Sequence, residues 1–394
     1  MSAPSLPSRG DLRNPGSQSA LRGLNQQRIV DALLGSGPLT QAELSRSTGL
    51  STATVSNIVK TMAAAGAIET EPTTSSGRRA LLVRLSGNGA VAVGIDFGRR
   101  HVRIVLATLG YHVLAEEFLE LQIGHSATES IDLASAALGR LLTTNGVVPS
   151  SVLGVGVGIP GPIDRKSGAV VQGAILPEWV GIRLERLEER LHFPVVFDND
   201  ANLGALAEVT WGPHSPVDNL VFLKIGSGIG AGLILGGRLF YGSLGVTGEI
   251  GHETVIDQGE LCHCGNRGCL ETVASVSVMI ERLSRGSVPV RTMDIVSRAL
   301  AGDPATLGVL DEAGLAVGGV LASVANLINP EVIVIGGPLA GLGDIMLAPI
   351  TRGLLAHTIP SIGGTTSLVM SSLGERAEAL GAAALVLQRS GARK

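Results

Sequence analysis

All three cysteines of this 394-residue chain fall in one run, Cys262-His263-Cys264-Gly265-Asn266-Arg267-Gly268-Cys269. Gly265 and Gly268 let such a loop fold so that three thiolates face one point, which leaves a tetrahedral zinc ion one ligand short. His252, upstream of the run, is the nearest candidate for the fourth position. His263 competes, but it stands between two ligands and would have to point the other way. A closed Cys3His site is structural, with no open position for catalysis. The alternative, a disulfide plus one free thiol, is disfavoured in a reducing compartment.

A second group consists of carboxylates and amides at expected turns. Asn199 and Asp200 follow a strand, Glu249 precedes His252, and Glu271 follows Cys269. Folding of the cysteine loop brings Glu249, His252 and Glu271 together. Carboxylate, amide and imidazole groups can hydrogen-bond a polyhydroxylated ligand with angular specificity. Taken singly, each could equally be a helix cap or a surface charge.

The elements that position these residues alternate from Ala90 onward. Strands are expected at Val91 to Phe97, Val102 to Ala107, Val113 to Leu121, Val152 to Ile159 and Val195 to Asp198. A helix is expected from Ser126 to Thr144 and another from Asn202 to Trp211. Leu220 to Ile225 and Ala231 to Leu235 read as a glycine-linked hairpin. Helices follow near Leu270 to Leu283, Met293 to Leu300 and Pro304 to Leu327, then a strand at Val332 to Ile335. Similar strand-glycine-hairpin openings near Gly94 and Gly226 predict a duplicated lobe, with a ligand cleft between the copies. The apolar stretch Leu315 to Ile335 is interrupted by Asn326, Asn329 and Pro330, so it reads as a buried helix running into a strand and not as a membrane span.

The amino-terminal part has a different character. Residues 1–85 carry nine Lys/Arg against five Asp/Glu, a net of +4 on a chain whose total is −4, so the remainder carries −8. A basic unit on an acidic body suits contact with phosphate by that unit alone. Residues 1–20 are expected to form a disordered tail, since Met1 to Gln18 are rich in Ser, Pro, Gly and Arg and lack an apolar signal region. The expected compartment is therefore the cytoplasm, with no membrane partner.

Helical spacing then recurs at Ile29, Val30, Leu33 and Leu34, at Leu39 and Leu44, and at Val55, Ile58, Val59 and Met62. Thr40 with Glu43 is a capping box, Gly49 supplies a tight turn, and Ser51 or Thr52 caps the third helix. After Gly66, two strands flank a Pro/Thr/Ser/Gly-rich loop with Arg78 and Arg79 at its end. This is a winged helix-turn-helix over residues 21–88. Ser51, Thr52, Thr54, Ser56, Asn57 and Lys60 on the third helix would reach bases or phosphates, and Arg78 and Arg79 a minor groove.

Three motifs together resemble the ROK family of bacterial repressors and sugar kinases: Gly242-x-x-Gly245-x-x-Gly248-Glu249-x-Gly251-His252, the cysteine run ending Cys269-Leu270-Glu271, and Asp198-Asn199-Asp200-Ala201-Asn202. The likeness spans about residues 20 to 388. It implies an α/β, actin-like (ribonuclease H-like) two-lobed domain, with a smaller lobe at 89–206 plus 376–394 and a larger one at 207–375. It also implies that Gly161, Asn199, Asp200, Glu249, His252 and Glu271 surround a sugar, with His252 shared between zinc and ligand. In the family's kinases the residue matching Asp200 is the base, and the chain opens on Asp-x-Gly-Gly-Thr-Lys. Here that stretch is Asp96-Phe97-Gly98-Arg99-Arg100-His101, so the expectation is no enzyme activity and no ATP. The second glycine loop, Gly226 to Gly232, is intact, which keeps an ATP-dependent sugar kinase as the alternative. The expected function is a sugar-responsive repressor. Its partners are a pseudo-palindromic operator, a sugar or sugar-phosphate effector, and further copies of itself in a homodimer or homotetramer.

Overall fold

Thr40 and Glu43 begin the second helix by capping each other. The Thr40 hydroxyl accepts from the Glu43 amide at 3.3 Å, and the Glu43 carboxylate accepts from the Thr40 amide at 2.7 Å. The structure, a computed structural model, describes residues 25–392 apart from residues 27, 31, 34–35, 65–67, 76–77, 86–89, 165–168, 171–174, 215–216 and 285–288. The expected tail at 1–20, together with Leu34 and Gly66, lies outside the described residues.

Helix α1 runs through the described residues between 25 and 36 and buries Ile29, Val30 and Leu33. Strand β1 (Leu39–Thr40) leads into α2 (Gln41–Thr48), which Gly49 closes at φ 70. Ser51 accepts from the Thr54 amide at 3.1 Å, so it is the residue that caps α3 (Thr52–Ala64). Helix α3 buries Val55, Ile58, Val59 and Met62. Around its outer side Ser51, Thr52, Asn57 and Lys60 are exposed, while Thr54 and Ser56 are half-buried.

Strands β2 (Ile68–Ser75) and β3 (Arg78–Leu85) pair antiparallel, with β1 on the far side of β3. This corrects the expected loop, because strand continues through Ser75, and Arg78 and Arg79 begin β3. Pro72 is tolerated because β2 is an edge strand, where the missing amide need cost no ladder bond. Arg79 is exposed. Residues Met1–Ala90 with Leu387–Lys394 group apart from Val91–Val386.

The second unit uses one sheet plan twice. Strands β4 (Val91–Phe97), β5 (His101–Thr108) and β6 (Val113–Glu120) form an antiparallel meander. Helix α4 (Ala127–Thr144) leads to β7 (Val152–Ile159), which is parallel to β4. A small hairpin, β8 (Ile163–Asp164) and β9 (Ala169–Val170), and α5 (Leu184–Leu191) precede β10 (Val195–Asn199), giving the order β10-β7-β4-β5-β6. After α6 (Asp200–Thr210), a second meander follows in β11 (Leu220–Ile225), β12 (Ile229–Leu235) and β13 (Arg238–Leu239).

Helices α7 (Glu271–Ala274), α8 (Val276–Leu283), α9 (Thr292–Leu300) and α10 (Pro304–Ile328) then lead to β14 (Val332–Gly336). Helices α11 (Asp344–His357) and α12 (Pro360–Gly363) precede β15 (Ser367–Met370), and the order β15-β14-β11-β12-β13 repeats the first sheet. The expected single helix over 270–283 is two, because Ser275 accepts from the Val278 amide at 3.3 Å and starts a new helix. The long apolar helix α10 does run into a strand, and it buries Leu310, Ala313, Val317, Leu321 and Ala325 in the core around the second sheet.

Helix α6 and the last helix, α13 (Ala377–Ala392), fill the space between the sheets, backbone close to backbone. A Cβ on Gly156 of β7 would lie 1.9 Å from the Ala382 carbonyl oxygen, and one on Gly232 of β12 would lie 2.2 Å from that of Ala201. Gly156→Ala should therefore cost about 1–3 kcal/mol through overpacking. Gly139→Ala, in α4 with nothing within 4 Å, should be neutral or stabilising by up to about 1 kcal/mol. Urea midpoints of the two variants check this, and equal effects would contradict it.

Candidate functional site

The loop around the cysteines is shaped by its own backbone. The Cys262 amide donates to Asn266 at 2.8 Å and the Gly265 amide to Cys262 at 2.9 Å. Gly268 sits at φ 65, where a Cβ would lie 1.7 Å from the Ile256 carbonyl oxygen. Cys262 Sγ lies 3.6 Å from His252 Nδ1, and Cys264 Sγ lies 3.6 Å from Cys269 Sγ. The four ligand atoms of His252, Cys262, Cys264 and Cys269 all lie within 4.8 Å of one another. A tetrahedral zinc ion with Zn–S of about 2.3 Å puts its sulfurs about 3.8 Å apart, so the arrangement fits. All three cysteines are free thiols, with no disulfide among them.

Burial, with the adjoining Cys264 and Cys262 thiols, pushes Cys269 up to about 12. A divalent cation would relieve that penalty by taking up the thiolate charge. His263 stays near the cluster and pairs with a carboxylate, its Nε2 3.0 Å from Glu271 Oε1. His252, Cys262, His263 and Glu271 form a second set whose donors are equally close, so the sulfur-rich set is preferred on ligand chemistry.

The expected sugar residues line one cleft of about 1470 Å³ in this unit. Asn199 is partly committed to structure: its Oδ1 accepts from the Ala201 amide at 2.9 Å to cap α6, and its Nδ2 donates to the Gly161 carbonyl at 3.1 Å. Asp200, the first residue of α6, accepts from Lys224 Nζ at 2.8 Å. Glu271 Oε2 accepts from the Ile229 amide at 2.9 Å, which fixes one edge of the carboxylate. Glu249 lies 3.8 Å from His252 Nε2. Burial, helped by the Asp200 and Glu271 charges, pushes Glu249 up to about 7. His252 thus presents Nδ1 to the sulfurs and Nε2 to the cleft. All six residues expected around a sugar, Gly161 included, border this space.

The turn between β4 and β5 carries three large polar side chains, Arg99, Arg100 and His101. Arg99 Nη1 donates to Ser277 at 3.4 Å, and Ser277 donates to the Ser227 carbonyl at 2.9 Å, so Arg99 bridges towards the glycine turn at 226–230. Arg100 is exposed and lines the cleft. His101 stacks on Phe118 and reaches back to Asp96 Oδ2 at 2.9 Å.

Sequence reasoning missed four members of this site: Asp96 as a paired carboxylate, His101, Lys224 and Glu378. Lys224 and Glu378 lie 3.0 Å apart at the cleft wall. The available signal was a lone charge within an otherwise apolar strand or helix, since such charges are rarely buried without partners.

Residues 92–389 match the ROK family, and residues 23–79 match the MarR family. A xylose repressor of Caldicellulosiruptor bescii is 28% identical over 393 residues, covering 94% of this chain and 97% of that protein. A glucokinase of Halalkalibacterium halodurans is 32% identical over 315 residues, covering 75% of this chain and 95% of that protein. A crystal structure of a ROK family transcriptional regulator, described as a homologue of the E. coli MLC protein, superposes with a TM-score of 0.77 at 27% identity, covering 94% of this chain and 97% of that one. A duplicated sheet plan, a cysteine-histidine loop beside a polar cleft, and a match running over both sheets place this chain in the ROK family, with a MarR-type winged helix ahead of the ROK domain.

Proposed function

We propose that this protein is a cytoplasmic, sugar-responsive transcriptional repressor and not a sugar kinase. The observation that favours this reading is the turn between β4 and β5, where Arg99, Arg100 and His101 stand in place of the small residues of a phosphate loop, beside a cleft whose polar residues stay grouped. The winged helix supplies the means of binding DNA, and the xylose repressor shares this plan over nearly its whole length.

In this reading residues 89–206 with 376–394 form one lobe and 207–375 the other. Asn199, Asp200, Glu249, His252 and Glu271 hold the sugar, with Gly161 on the loop beside it. His252 Nδ1, Cys262, Cys264 and Cys269 hold a structural zinc ion that sets the orientation of His252. A homodimer places two copies of α3 in successive major grooves of a pseudo-palindromic operator, about one helical turn apart. There Ser51, Thr52, Thr54, Ser56, Asn57 and Lys60 meet bases or phosphates, and Arg78 and Arg79 approach the minor groove. A tenfold change in operator affinity on sugar binding requires about 1.4 kcal/mol of coupling.

Three measurements test this. Gel-shift titration with DNA from upstream of the protein's own coding region should show specific binding that D-xylose, D-glucose or N-acetylglucosamine changes at least tenfold; no specific DNA binding sinks the reading. Metal analysis should find one zinc per chain, with Cys264→Ser lowering zinc content, thermal midpoint and sugar affinity together. Metal-free protein insensitive to chelators would remove the zinc from the account. The glucokinase similarity favours a second reading, ATP-dependent sugar phosphorylation. A coupled ADP-release assay with the same sugars should show no sugar-dependent turnover, and turnover abolished by Asp200→Asn would reverse the ranking.

A further inference from the structure

Strand β11 runs Leu220-Val221-Phe222-Leu223-Lys224-Ile225, one charge in an apolar strand. Lys224 Nζ donates to Asp200 Oδ2 at 2.8 Å and stands 3.0 Å from Glu378 Oε1, with Asp96 as a third carboxylate near it. Asp96 and Glu378 are 1% and 2% exposed, whereas the Lys224 side chain keeps 17%, and Lys224 lines the cleft. An ammonium carries three N–H donors. One is aligned on Asp200. Glu378 Oε1, at 3.0 Å, engages a second, which leaves the third N–H without a protein partner at hydrogen-bond distance among the described residues. Lys224 therefore keeps donor capacity beside the very carboxylate expected to meet the ligand.

We propose that Lys224 is a ligand-contacting, specificity-determining residue of the carbohydrate site, forming with Asp200 a donor–acceptor pair that grips one sugar hydroxyl. This rests on the carbohydrate reading above. A hydroxyl both donates and accepts. Asp200 accepts its proton, and Lys224, bonded to the same carboxylate, donates to its oxygen. A charged donor strengthens that bond, and an analogue lacking the hydroxyl leaves both partners under-satisfied. Burial acts to lower the Lys224 pKa, but Asp200, Glu378 and Asp96 together drive it well above its ordinary value. The amine therefore stays a charged donor at neutral pH.

Calorimetry on the full chain tests the pair. The probes are D-glucose, D-xylose and N-acetylglucosamine, followed by each monodeoxy analogue of the tightest binder. For the wild type, one deoxy analogue should bind about 10–100-fold more weakly than its parent. In Lys224→Gln the parent should weaken while that analogue changes little, so their ratio collapses towards one and the ratios for other positions persist. Lys224→Arg, which keeps a charged donor, should restore part of the lost ratio. Should Lys224→Gln fail to fold around three buried carboxylates, the double variant Lys224→Gln/Glu378→Gln removes one of them and is read the same way. Equal weakening of all sugars would overturn the proposal, leaving Lys224 as scaffold only. A wild type that binds none of the sugars overturns the carbohydrate reading itself.

Discussion

Lys224 stands half-buried on the second sheet, and its partners come from everywhere else in the ROK domain. Asp96 belongs to the first sheet, while Asp200 and Glu378 sit in the first turns of α6 and α13, the helices between the sheets. Removing one member of a buried ion pair typically costs several kcal/mol, because the partner charge is left uncompensated. The two sheets and both helix ends are therefore tied to one point. Carboxylates at helix N-termini are favoured by the exposed amides there, which helps the cluster carry more acid than base. For Asp96, burial acts to raise the pKa, and Lys224 with His101 more than offsets it, holding the carboxyl below its ordinary value. Burial pushes Glu378 the other way, with Lys224 only partly opposing it.

The same cluster bears on why a kinase-like fold can serve as a sensor. Phosphoryl transfer works chiefly by positioning phosphates and a magnesium ion, which needs open backbone amides and carboxylate oxygens free to coordinate. Here Asp96 is engaged by His101, Asp200 by Lys224, and the turn between them carries two arginines. In the proposed reading, Lys224 and the two arginines stand among the acidic groups that a kinase's metal would use. A polar cleft remains, and its groups are held by bonds to the backbone, such as Glu271 on the Ile229 amide and Asn199 on Gly161.

What the sequence disclosed follows from how local each signal is. The cysteine run, the Thr40–Glu43 box and the paired hairpins at Gly94 and Gly226 are written within a few residues each, and all three appear in the structure. Helix α13 was not anticipated, because it is Ala-rich and enclosed, so no amphipathic stripe marks it. Helix α11 was hidden by Pro349 within it, and β15 by its four residues. The second half of β2, Pro72 to Ser75, was read as loop because Pro72 and its hydroxyl neighbours resemble turn residues, a resemblance that an edge strand tolerates. Lys224, Asp96 and Glu378 are far apart in sequence, and only the fold makes them neighbours.

The cysteine loop and the cleft also share residues in a way that constrains what the proposed ligand can be. Through His252 the loop meets Glu249, and through His263 it meets Glu271, whose other oxygen is bound to the strand that follows the glycine turn. A closed ligand set makes a metal there a strut and not a reagent. Phe118 is the only Phe, Tyr or Trp among the described residues that line the cleft, so stacking on a sugar face can contribute little. In the proposed carbohydrate reading, recognition then comes from hydrogen bonds of fixed direction, which the hydrogen-bonded loop beside the cleft helps to set. Sugars that differ in one hydroxyl should then be separated by which fixed partner is left unpaired, and not by the apolar area they bury.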